Sequence, residues 1–192
     1  MRIVRTLAVI GGLVVGIAAS GLAQAVPPPC TRIGTAGADV INGTSGPDVL
    51  CGLGGSDELR GFGGNDILRG GPGEDFLAGG QGNDALIGGR GPDTMIGGAG
   101  DDVGRGGPGV DDGVGGPGSD RLYGGASADL TLFGGGSGAD LVSGGDGNDV
   151  CLATIDGSGN DRIVGGAGTD HFFKDAGDEA SGAEIEGPCF VE

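Results

Sequence analysis

The chain is predicted to be all-β, a β-solenoid of nonapeptide repeats wound two to a coil, on three observations. Aspartate recurs in strict nine-residue register at Asp39, Asp48, Asp57, Asp66, Asp75, Asp84, Asp93, Asp102, Asp111, Asp120 and Asp129. Each closes a glycine-rich phrase, most clearly in GGPGEDFLA (70–78) and GGQGNDALI (79–87). Two places after the aspartate stands an apolar residue: Ile41, Leu50, Leu59, Leu68, Leu77, Leu86 and Met95 in the first seven copies. A fixed period of this kind marks stacked repeats, each unable to bury its apolar face alone.

The elements follow in order. Residues 1–25 read as a secretory signal peptide: Arg2 and Arg5 precede an apolar run from Leu7 to Ala19, and Ala23-Gln24-Ala25 has the small-x-small form of a cleavage site. Residues 26–33, with Pro27-Pro28-Pro29, form a stiff N-terminal leader or cap. Repeats then start at every ninth residue from Gly34 to Gly124. Phe133 and Gly134 are read as an insertion, with a possible break of the array there, and copies resume at Gly135 and Gly144. A second insertion, Ala153-Thr154-Ile155, precedes copies at Asp156 and Gly165, so the array spans 34–173. Residues 174–192 make an acidic C-terminal cap or tail.

Within a repeat, the six residues G-G-x-G-x-D are turn chemistry, because glycine lets backbone approach backbone or an ion closely. The last three residues form a short strand whose middle side chain points inward. Two repeats facing each other make a coil of eighteen residues with two apolar side chains inside. Collagen is excluded, because position 7 of the repeat is Val40, Ile67, Phe76 or Val103 where a triple helix needs glycine.

Net charge is −17, and without the two leader arginines 8 basic residues face 27 acidic ones, or −19. This balance opposes nucleic acid and anionic membranes as partners and favours cations. A thin double file of leucine-sized side chains is too small a core to hold so glycine-rich and acidic a chain wound. The missing stabilisation is assigned to multiple Ca²⁺ ions, which take six to eight oxygen ligands from carboxylates and backbone carbonyls alike. Turns of repeats n and n+2 lie on one edge, so an ion between them meets oxygens from both.

The phrase G-G-x-G-x-D followed by x, a large apolar residue and x resembles the nonapeptide of RTX, or haemolysin-type calcium-binding, proteins. The resemblance covers residues 34–173 and implies a parallel β-roll with Ca²⁺ held in turns between alternate repeats. Carried onto this sequence, it gives as carboxylate ligands the eleven aspartates above with Asp140, Asp149, Asp161 and Asp170. It gives as carbonyl ligands the glycine turns, Gly71, Gly73, Gly80, Gly82, Gly89 and Gly91 among them, with Gly71 and Gly73 facing Gly89 and Gly91. Pairing n with n+2 over the eleven regular copies allows nine sites.

Four departures stand out. Gly104 and Gly113 replace the inward apolar residue in successive repeats, which leaves one coil almost without a core. Ser127 replaces the fourth-position glycine, and Thr131 takes the place of the apolar residue before the first insertion.

Four cysteines, Cys30, Cys51, Cys151 and Cys189, suggest disulfides in an exported chain, and three pairings are open. Pairing of neighbours would staple each end of the array. No H-E-x-x-H or G-x-S-x-G occurs, and His171, the single histidine, falls on a strand as surface filler. The expected function is that of a secreted, extracellular, non-enzymatic calcium-binding protein that folds on binding its ions. The alternative is a calcium-dependent adhesin or a structural component of a cell surface or matrix, whose partner would be an extracellular polymer.

Overall fold

A computed structural model of the chain describes residues 27–150, 152–154, 160–174, 176–182 and 185–186. The expected signal peptide therefore lies outside the described residues. No helix occurs among them, and none long and apolar enough to cross a membrane. The chain winds between two nine-stranded parallel sheets, alternating between them at each repeat. The first sheet holds β1 (Arg32–Ile33), β3 (Val49–Cys51), β5 (Ile67–Pro72), β7 (Ala85–Arg90), β9 (Val103–Pro108), β11 (Arg121–Ala126), β13 (Leu141–Asp146), β15 (Arg162–Ala167) and β17 (Glu179–Ser181). The second holds β2 (Val40–Asn42), β4 (Glu58–Gly63), β6 (Phe76–Gln81), β8 (Thr94–Ala99), β10 (Asp112–Val114), β12 (Thr131–Phe133), β14 (Leu152–Thr154), β16 (His171–Lys174) and β18 (Ile185–Glu186). This is the parallel β-roll, with two repeats to a coil.

Register follows the period. Leu68 pairs with Leu86 and Leu59 with Leu77, eighteen residues apart. Each such side chain is the buried second residue of its strand, and the two files meet inside the roll. Most strands are longer than the three residues expected. Beyond positions 7 to 9 they run on through the first three residues of the next repeat, as Gly71 pairs with Gly89 and Pro72 with Arg90. A glycine there has no side chain to hold the coils apart, so the ladder continues and the turn shrinks to the residues around the aspartate. Gly71 sits at φ 122, which costs glycine little and other residues a good deal.

The core has two parts. One cluster runs from Ile41 to Met95, the other from Leu132 to Phe172. Gly104 in β9 and Gly113 in β10 lie between them. Neighbouring side chains lean into the space: a methyl group added to Gly104 would meet Leu122 Cδ2 at 2.8 Å, and one added to Gly113 would meet Leu132 Cδ2 at 3.2 Å.

The first insertion is not where the sequence places it. Thr131 pairs with Asp112 and Leu132 with Gly113, while Asp129 still aligns with Asp111. The extra residue is Leu130, so Asp112 faces two residues, as in a β-bulge. Leu132, not Thr131, becomes the buried residue, because the bulge turns the strand by one place and exchanges its faces. A second single-residue bulge follows at Gly135, since Gly134 faces Gly115 but Gly136 faces Gly116. Phe133 belongs to β12 and the Gly134 N–H donates to the Ala153 carbonyl, so both sheets continue through 133–134. Of the second insertion, Ala153 and Thr154 are strand residues paired with Phe173 and Lys174, and residue 155 lies outside the described residues. The tail adds the last strands, β17 and β18, to the two sheets.

Cys30 and Cys51 are joined in a disulfide, with Cα atoms 6.0 Å apart, which ties the leader to β3. Cys151 and Cys189 lie outside the described residues.

Candidate metal centre

Every repeat ends its turn on an aspartate, and all of them stack along the two edges of the roll. The stacking is held by one recurring bond. The backbone N–H of each aspartate donates to Oδ1 of the aspartate one coil further on: Asp39 to Asp57, Asp48 to Asp66, Asp57 to Asp75 and so on to Asp149 and Asp170, at 2.7–3.1 Å. From Asp39 to Asp161 each stacked aspartate carbonyl accepts the N–H of the residue after the partner aspartate, as Glu58 donates to Asp39 and Ile67 to Asp48. One side-chain methylene is the reach this bond needs, which is why the residue is Asp in all fifteen copies and never Glu.

With Oδ1 engaged, Oδ2 is left over. In Asp57, Asp66, Asp75, Asp84, Asp93, Asp102, Asp111, Asp120, Asp129, Asp149 and Asp170 this oxygen is buried and accepts no hydrogen bond. A buried carboxylate oxygen without a donor costs several kcal/mol unless a cation faces it. The electrostatics agree. Burial pushes the carboxyls of Asp93, Asp120 and Asp129 up to about 7, and those of Asp84, Asp102 and Asp111 up to about 6. In most of them the neighbouring carboxylates of the stack add to the rise, as Asp111 and Asp75 do for Asp93. Asp66, Asp75 and Asp149 are raised for the same first reason.

The glycines complete the surroundings. A Cβ placed on Gly70 would strike Asp75 Oδ2 and lie 2.7 Å from the Gly88 carbonyl. The same holds at Gly79, with Asp84 Oδ2 and the Gly97 carbonyl, and at Gly97, with Asp102 Oδ2 and the Gly115 carbonyl. Only hydrogen fits where carboxylate and carbonyl oxygens converge. The carbonyls of Gly71, Gly73, Gly80, Gly82, Gly89 and Gly91, expected as ligands, each face the equivalent glycine of the next coil. No three acidic, histidine or cysteine side chains gather anywhere among the described residues. The donor set is thus two carboxylates at most per gap, filled out by backbone oxygen. It is all hard oxygen, and it fits Ca²⁺.

The structure also separates what the sequence treated as equal. Asp39 is half-buried and Asp48 buried, but their Oδ2 atoms are not bare: each accepts from the threonine four residues earlier. The carboxyl of Asp48 is held below the usual carboxylate range, chiefly by the Thr44 hydroxyl. Sequence reasoning also passed over Asp178, placed in the tail. It is buried, and its Oδ1 takes the Asp161 N–H at 3.3 Å, which extends the stack by one rung. The signal was present, since Asp178-Glu179-Ala180 keeps the aspartate two places before an apolar residue, but the glycine phrase ahead of it is shortened. The first-position carbonyls, such as those of Gly88 and Gly97, were likewise not among the expected ligands.

Comparison with curated proteins returns no match to this chain. A family model described as the RTX calcium-binding nonapeptide repeat matches it seven times, over residues 33–68, 43–77, 60–95, 78–112, 105–137, 131–153 and 155–178. The matched stretches and the rungs of buried aspartate coincide, and the chain belongs to the RTX calcium-binding nonapeptide-repeat family.

Proposed function

We propose that the chain is an exported, non-enzymatic calcium-binding protein in which ion uptake and winding of the roll are one event. The observation that carries this is the row of buried Oδ2 atoms without donors. The carboxylates from Asp57 to Asp170 would hold the ions together with glycine carbonyls, including Gly71, Gly73, Gly80, Gly82, Gly89 and Gly91. Bound Ca²⁺ supplies positive charge and directed oxygen coordination between coils. The chain's own part is to stack the carboxylates, keep bulk out at the glycines and offer carbonyls. None of these groups is assembled in the open chain, so binding free energy is folding free energy. Export is supported by the leader sequence and by the Cys30–Cys51 disulfide, a bond that persists in oxidising compartments. Non-enzymatic action is supported by the inventory of the chain, in which carboxylates are spent on stacking and the one histidine lies on an exposed strand position.

The test is far-UV circular dichroism of residues 26–192 during titration with Ca²⁺ and, separately, Mg²⁺. Ca²⁺ should convert an open-chain spectrum into a sheet spectrum at millimolar concentration. Mg²⁺, which demands tight octahedral geometry and keeps its waters, should not. At neutral pH, a chelator-treated sample with an unchanged sheet signal and melting point would refute the proposal.

A further inference from the structure

The second position of the repeat is occupied by glycine from Gly71 onward, but the first four repeats carry Thr35, Thr44, Leu53 and Phe62 there. Leu53 and Phe62 keep the glycine-like backbone, at φ 84 and 75. The Leu53 N–H accordingly donates to the Gly70 carbonyl of the next coil. Thr35 and Thr44 do not adopt positive φ. Their N–H groups swing onto the carboxylate of their own repeat, 2.6 Å from Asp39 Oδ2 and 2.7 Å from Asp48 Oδ2. Their hydroxyls reach the same oxygens at 2.8 Å each, closer than the alternative acceptors, the Gly37 and Gly46 carbonyls at 3.4 and 3.2 Å. The Thr31 hydroxyl lies 3.2 Å from Asp48 Oδ1, where a preceding coil would have supplied an aspartate N–H. One coil later, Asp57 and Asp66 have bare Oδ2 atoms beneath Leu53 and Phe62, so a non-glycine residue alone does not bring the change.

We infer that Thr35 and Thr44 take the cation's place in the first coil, so that Asp39 and Asp48 hold no ion and calcium enters the stack only from Asp57 onward. Two donors on one carboxylate oxygen satisfy it as a metal would, and each hydroxyl directs its proton at that oxygen. The first coil, already tied by the Cys30–Cys51 disulfide, thereby becomes a metal-free end piece on which ion-loaded coils stack. This rests on the calcium reading above.

The test counts calcium bound to the full chain at saturation, by equilibrium dialysis with metal analysis, in the parent protein, the D39N/D48N variant and the T35G/T44G variant. D39N/D48N should bind as many ions as the parent. T35G/T44G, which removes both hydroxyls and lets the backbone take the positive φ of the later glycines so that both N–H groups turn away from the carboxylates, should bind two more. A parent protein that takes up no calcium would sink the calcium reading itself, separately from this inference. A loss of ions in D39N/D48N would overturn the inference, and so would an unchanged count in a folded T35G/T44G. Amide hydrogen exchange at Ile41 and Leu50, the inward residues of the first two repeats, reports whether T35G/T44G has kept its first coil. If it has not, the D39N/D48N count decides alone.

Discussion

Phe62 sits at φ 75 with its ring about half exposed, in a place where later coils have glycine. A left-handed backbone costs a residue with a Cβ about 1–2 kcal/mol, and the exposed ring recovers little of it through burial. Phe62→Gly should therefore stabilise the calcium-loaded roll by about 1 kcal/mol after the entropy of glycine in the open chain is subtracted. A urea titration at saturating calcium reads this as a higher midpoint with an unchanged slope. A lower midpoint would mean that the ring holds something in place. At this scale the aspartates were legible in the sequence, because identity and spacing alone fix which residue stacks on which. The difference between Asp39 and Asp57 was not. It depends on whether the second residue of the turn takes positive φ, a choice the letters Thr and Leu do not reveal by themselves.

Among the strands, β9 and β10 form the weakest link, since Gly104 and Gly113 leave the inside of one coil without side chains. Leu122 of β11 lies against both glycines, with Cδ2 2.8 Å from a Cβ position on Gly104 and Cδ1 3.7 Å from one on Gly113. Leu122→Ala would add its void to the space already left by the two glycines, and should cost about 4–5 kcal/mol, the upper end for a leucine truncated in a core. Leu77→Ala, flanked by Leu59 and Met95, should cost less, about 3 kcal/mol. Urea unfolding of both variants in calcium checks the order, and equal losses would show that the glycine coil is not the soft point. The coil thinned by glycine could be foreseen from the sequence, and so could the alternation of repeats between two sheets. The bulges at Leu130 and Gly135 could not. Counting residues shows that two are extra, but which residue the ladder skips depends on which side chain gains most from the inside, and Leu132 wins over Thr131. Strand length was underestimated for a related reason: glycine was treated as a turn former, whereas between stacked backbones it lets the ladder run on.

For the molecule as a whole, the stacked carboxylates tie winding to pH. In the roll the carboxyls of Asp93, Asp120 and Asp129 rise to about 7 and those of Asp84, Asp102 and Asp111 to about 6, while in the open chain they return to the ordinary range near 4. A carboxyl that holds its proton more tightly in the wound state favours that state wherever it is protonated. The contribution is complete below about pH 4 and is lost as pH climbs through 6 to 7. In chelator the chain should therefore show sheet signal in mild acid and lose it towards neutrality. With calcium present, uptake should release protons and weaken as pH falls below about 6. Circular dichroism from pH 4 to 8, with and without chelator, reads both, and a metal-free chain that gained structure on going to alkaline pH would contradict this account. The bonds that join one coil to the next are the same from Asp57 to Asp111, and the strands there repeat without interruption. Excising eighteen residues, such as 71–88, would rejoin like with like and shorten the rod by one graduation of about 4.8 Å. Removing nine would send every later segment to the opposite wall. The gene can thus set the length of this molecular yardstick freely, provided that it cuts in even steps.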